Sequence, residues 1–179
     1  MPRLVAVLVT TVALSAPACG SAEQARRSAE ETSTQEIRMA SRHGLRIGLP
    51  SAWYGRIYVN ETGLRVVQAA NFRLAERDDD VGSKTLQRMG SDGVLIAIWY
   101  WADRFPPDED TALLDATLPL EIARSDFGKC TSLGAPETAM RAVAIDGHLI
   151  QVLVSFGSAR VSDKTLADAN RVLATFSIP

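Results

Sequence analysis

The sequence predicts an α+β domain: a mainly antiparallel β-sheet with helices packed on it, including an amphipathic C-terminal helix. Three observations lead there. Short apolar runs of strand length, divided by turn residues, recur between Leu45 and Phe156. Asp146-Gly147 sits between two of these runs, and an Asp-Gly pair so placed is a strong signal for a two-residue hairpin. After Ser162 the apolar residues switch to helical spacing.

The chain does not begin with that domain. Met1–Arg3 is a short basic segment, Leu4–Leu14 an apolar run, and Ser15-Ala16-Pro17-Ala18 a group of small residues. This is the three-part layout of a secretory signal peptide, assigned to residues 1–18. As a helix the apolar run would span about 16 Å, too short for a hydrocarbon core of ~30 Å, so a permanent transmembrane helix is not expected. Ala18-Cys19-Gly20-Ser21 resembles the lipobox of bacterial lipoproteins, in which the cysteine is acylated and becomes the mature N-terminus. That resemblance implies a membrane-lipid anchor at Cys19. Ala16 stands where the motif prefers Leu, and Ala16-Pro17-Ala18 also reads as an A-x-A site whose cleavage would release a soluble protein. The rest of residues 19–41 is rich in Ser, Ala, Glu, Gln and Thr and lacks aromatics, which is the composition of a flexible linker. A short polar helix over Ala22–Glu31 is the alternative.

Residues 42–179 are read as one globular domain. Leu45–Leu49 alternates as a half-buried strand does, and Pro50 ends it. Arg56–Asn60 and Leu64–Ala70 read as strands joined by a turn at Glu61-Thr62-Gly63. Arg73–Gly82 is a charged loop holding Asp78-Asp79-Asp80, and Ser83–Met89 a short helical turn. Val94–Trp101 is the most apolar segment of the body and reads as a central strand. Ala102–Asp110 reads as a surface loop, Asp110–Ala116 as a short helix, and Leu118–Arg124 as strand or helix. Met140–Ile145 and His148–Phe156 flank the hairpin turn. Ser162 caps a last helix running to Thr175, with Leu166, Ala169, Val172, Leu173 and Phe176 on one face.

Two segments resemble the PsbP-like family. Gly44-Leu45-Arg46-Ile47-Gly48-Leu49-Pro50 followed by Trp53 is similar to that family's opening G-x-x-F/I-x-x-P-x-x-W, and Ala169–Phe176 to its closing helix. The matched positions cover under a fifth of the domain. The resemblance implies an α/β sandwich on an antiparallel sheet. It implies no catalytic residues, because the family has none in common.

Charge and composition narrow the function. The net charge is −2, and removal of residues 1–18 leaves 18 basic against 21 acidic side chains. Such a surface gives no electrostatic reason to bind nucleic acid. With 46% hydrophobic and 22% charged residues, the chain is composed to fold. Two histidines, His43 and His148, and two cysteines, Cys19 and Cys130, do not compose a metal set, and neither acidic cluster, Asp78-Asp79-Asp80 or Asp108-Glu109-Asp110, has EF-hand spacing. There is no glycine-rich phosphate loop, so no cofactor is expected. If Cys19 is acylated, Cys130 has no cysteine to pair with; if Cys19 is free, a Cys19–Cys130 disulfide becomes available. Catalytic residues are not assigned.

The aromatics are the candidates for a ligand site. Trp99 and Trp101 share one face of a strand and Tyr100 takes the other. Trp53, Tyr54, Trp99 and Trp101 are a candidate platform for a sugar, peptide or lipid; filling the core and its rim is the competing role. The expectation is a non-enzymatic binding or assembly module of the envelope, with an envelope protein or small ligand as partner. The alternative is an envelope hydrolase using carboxylates that the sequence does not identify.

Overall fold

The computed structural model describes residues 37–101, 114–129 and 134–179. Its first strands, β1 (Ile37–Arg42) and β2 (Leu45–Pro50), form a two-stranded antiparallel sheet. The turn between them is His43-Gly44, with φ of 53° and 73°, the paired positive angles of a tight hairpin. Composition places the end of the linker at residue 41, whereas a strand already starts at Ile37. β1 is mostly exposed and has little apolar alternation of its own, so its strand conformation comes from the ladder that β2 offers. Leu45, Ile47 and Leu49 of β2 are fully buried. The far edge of β2 is closed by the chain terminus: Arg46 and Ser177 exchange backbone hydrogen bonds of 2.9 and 3.0 Å, and Gly48 N donates to Thr175 Oγ1 at 2.7 Å.

The main sheet has six strands in the order β3-β4-β5-β8-β7-β6. These are β3 (Tyr54–Val59), β4 (Arg65–Ala70), β5 (Val94–Tyr100), β6 (Leu114–Asp115), β7 (Glu137–Ile145) and β8 (His148–Phe156). All pairings are antiparallel except β6 with β7. β5 lies inside the sheet and every one of its residues is buried, as its apolar run requires. The β7–β8 turn is Asp146-Gly147, with φ of 52° and 77°. Glycine bears the second of these positive angles without a Cβ penalty. The fold class read from the sequence is the one observed.

One face of this sheet builds the principal core. Ile57, Val67, Ile96, Ile98, Val152, Val154 and Phe156 pack there against Leu45, Ile47 and Leu49 of β2. The terminal helix closes it with Ala169, Val172 and Leu173, followed by Phe176. That helix spans Asp163–Leu173, and Ser162 Oγ caps it by accepting from Thr165 N at 3.1 Å. The other face carries Trp99 with Val66, Ala97 and Leu153, and Ala70 with Leu95 and Leu86. Segment 71–93 lies over it and includes a short helix, α1 (Ser83–Leu86). The terminal helix is therefore α2.

Two further expectations change. Leu114–Asp115 is a strand, not part of a helix, because β7 offers it a free parallel edge. Leu118–Ala123 is neither strand nor helix, and Arg124 opens a single 3-10 turn over Arg124–Asp126: Leu120 and Ile122 fill the core while Asn170 of α2 satisfies the backbone of Ile122, accepting from its N–H and donating to its carbonyl, both at 2.9 Å. The expected loop over 102–110 and the two cysteines lie outside the described residues.

Candidate functional site

The four aromatics of the expected platform do not share a surface. Trp53 belongs to the principal core and is 7% exposed. Trp99, at 8%, lies on the opposite face of the sheet beside Trp101, with Tyr58 and Met140. Tyr54 is half exposed on β3, which pairs on one side with β4. The alternation that puts Trp99 and Trp101 together also keeps them away from Trp53.

Trp53 does line a cleft. With Asn71, Asp92, Val94, Lys164, Thr165 and Asp168 it bounds a cavity of about 350 Å³. Three pieces of chain meet here. The turn at Pro50 delivers Trp53, whose N–H donates to Pro50 O at 2.8 Å. The end of β4 and the start of β5 deliver Asn71 and Asp92. The Asn71 side chain ties them, accepting from Val94 N and donating to Asp92 O, both at 2.8 Å. The first turns of α2 deliver Lys164, Thr165 and Asp168. A smaller cavity of about 160 Å³ adjoins, and it too is lined by Asp92 and Thr165. Its wall depends on a close backbone approach: a Cβ on Gly157 would sit 1.8 Å from the Gly90 carbonyl oxygen. A glycine is required there for steric reasons.

The cleft holds an indole edge, an amide and both signs of charge. Asp168 accepts from Lys164 at 2.7 Å through Oδ2 and from Arg171 at 3.1 Å through Oδ1. Both of its oxygens are thus engaged by cations. The Asp92 carboxylate has a long 3.5 Å contact from Ser91 Oγ. Apart from Trp53, these residues are scattered through the sequence and carry no motif, so they were not legible before folding.

The carboxylates of segment 78–80, of which Asp79 is exposed and Asp78 and Asp80 half-buried, accept from the chain's own donors rather than gathering around an ion. Asp78 Oδ1 accepts from the amides of Asp79 (3.0 Å) and Lys84 (2.8 Å), and Oδ2 from Thr85 N (2.8 Å) and Thr85 Oγ1 (2.6 Å). Asp79 accepts from Ser83 N at 2.9 Å. Asp80 accepts from Tyr58 Oη at 3.0 Å and Asn60 Nδ2 at 2.6 Å. Partial burial opposes ionisation of Asp78, but its hydrogen bonds outweigh that and hold the carboxyl below its ordinary range. Asp126 is lowered in the same way: against partial burial stand the amide of Ala123 and the ammonium of Lys129 at 2.9 Å. Burial, then the bond to Asp80, pushes the Tyr58 phenol upward. These three groups brace the fold away from the cleft.

His43 forms the β1–β2 turn, and His148 opens β8 with its ring tilted on Tyr100 at 5.4 Å. Among the described residues no three His, Cys, Asp or Glu side chains gather as a metal ion would need, and no helix is long and apolar enough to cross a membrane. Compared with family models, curated proteins and solved structures, the chain matches none.

Proposed function

We propose that this chain is an exported lipoprotein of the bacterial envelope, held by acyl chains on Cys19, whose domain binds a small polar ligand in the Trp53–Asp168 cleft without transforming it. The PsbP-like resemblance belongs to this reading at the level of the fold. Export and anchoring are supported by the layout of residues 1–21. Binding is supported by one observation: an indole and several polar side chains converge on a concave surface. The hydrolase alternative draws on two carboxylates in that cleft, Asp92 and Asp168. Asp168 commits both of its oxygens to Lys164 and Arg171 rather than turning one to the cleft alone, which favours binding over hydrolysis.

Intact mass of the membrane-fraction protein tests the anchor. The expected species begins at Cys19 and carries a diacylglyceryl adduct; an unmodified mature chain in the medium would overturn it. Ligand binding is tested by tryptophan fluorescence during titration with mono- and disaccharides and short peptides. The expected response is saturable and disappears in Trp53→Phe. Turnover of a bound sugar or peptide would replace the binding reading with the hydrolase.

A further inference from the structure

Segment 71–90 carries another cavity, lined by different residues. Arg73, Arg77, Lys84 and Arg88 surround it with Ala75 and Glu76, and it is an open hollow of about 550 Å³. The four cations are exposed. Gathering them in one hollow costs repulsion, in a chain whose net charge of −2 means that acids are plentiful. Yet the acids closest in sequence are turned elsewhere: Asp78 to the amides of α1, Asp79 to Ser83, Asp80 to Tyr58 and Asn60. Glu76 is the one acid in the lining.

The backbone that bears the cations is braced from beneath. Arg56 Nη1 donates to the carbonyls of Ala75 at 2.8 Å and Glu76 at 3.4 Å. Ala75 N donates to Thr85 Oγ1 at 3.0 Å. Thr85 is itself fully buried and bonded to Asp78. The two stretches that carry Arg73 and Arg77, and Lys84 and Arg88, are thereby fixed against each other before any ligand arrives.

We propose that this hollow binds a multiply charged, phosphate-bearing anion. Three of the four cations are arginines, whose planar forks meet phosphate oxygens in pairs. Ala75 is the one apolar residue in the lining, so the body of the ligand is polar. The volume falls in the range of ligand-sized pockets, roughly 300–1,000 Å³, which leaves room for more than one charged group. Such an anion is either a soluble phosphate ester or the headgroup of an anionic phospholipid.

The test uses the full exported chain with Cys19→Ser, so that acylation does not confound binding to vesicles. Pyrophosphate is titrated by calorimetry at low and high salt, and phosphatidylcholine vesicles with and without cardiolipin, whose headgroup bears two phosphates, are sedimented with the protein. The expected result is saturable binding of pyrophosphate, the anionic vesicles or both, weakening as salt screens the exposed charges. The triple variant Arg73→Gln, Arg77→Gln, Arg88→Gln should weaken it at least about tenfold. Lysine at the same three positions keeps the charge, loses the forks and should fall between. Pyrophosphate binding identifies a soluble ester; binding confined to anionic vesicles identifies a headgroup. Absence of both, or affinity unchanged in the glutamine variant, overturns the proposal. The three side chains are exposed, so the melting temperature should hold and the comparison isolates binding. Trp53 is not part of this hollow, so failure here leaves the cleft reading standing.

Discussion

The two faces of the six-stranded sheet are covered by different physics. On one, β2 and α2 bring Leu45, Ile47, Leu49, Ala169, Val172 and Leu173 against an apolar surface, and the cover is held by area removed from water. On the other, segment 71–93 contributes Leu86 to the buried set, and much of its fixation is polar. Gln68 is fully buried there, accepting from Arg56 Nε at 2.8 Å and donating to the carbonyls of Asp79 at 2.8 Å and Asp80 at 3.1 Å. Apolar burial tolerates small shifts because it has no direction. A hydrogen-bonded brace sets position, and both proposed sites depend on position: the hollow sits on segment 71–90, and the cleft takes Asp92 from the same connection.

Breaking the apolar cover should have the largest effect. Leu173→Ala removes a fully buried side chain and should cost about 2–5 kcal/mol. Denaturant melts should show the whole domain weakened, with hydrogen exchange rising in β5 as well as in α2. Gln68→Ala attacks the polar cover. It removes the acceptor of Arg56 Nε and the donor to the Asp79 and Asp80 carbonyls, and should cost about 1–3 kcal/mol. Its signature is local: amide exchange should accelerate across 71–90 well before β5, and equal acceleration in both would contradict the distinction between the faces.

The smallest effect sharpens the comparison through pH. Asp78 and Asp126 have folded pKa values below their ordinary ones, so the native state binds fewer protons than the unfolded chain under acid conditions. Their contribution is fully present above the ordinary carboxylate value, about 3.9 for Asp, and fades as pH falls through the lowered values. Asp78→Asn should cost about 1–2 kcal/mol at neutral pH and flatten the acid limb of a melting-temperature profile. A parallel profile displaced downward would assign the loss to geometry rather than charge.

The elements were legible wherever a local signal was strong. Asp146-Gly147, the apolar run into β5 and Ser162 with its helical stripe all lie where the sequence puts them, since each is fixed by neighbours within a few residues. β1 was not legible, because its ladder belongs to β2. Leu114–Asp115 and Leu118–Arg124 were not either, because β7 and Asn170 decide them from a distance. The candidate aromatics Trp53 and Trp99 lie on two sides of a sheet, which strand order decides and local spacing does not. The brace under segment 71–90 left one trace in the sequence, a lone Gln68 in the otherwise apolar Val66–Ala70, and an isolated polar residue in a buried strand asks for partners.

By itself the sequence determined the α+β class, the central strand, the closing hairpin and the capped terminal helix, because period, turn chemistry and capping act over short range. Tertiary structure alone decided which side chains meet. It set Trp53 beside Asp92 and Lys164, separated it from Trp99, and turned Asp78 inward so that Arg73, Arg77, Lys84 and Arg88 surround one hollow. These outcomes rest on strand order and on long-range hydrogen bonds, and neither is encoded in any local stretch of the chain.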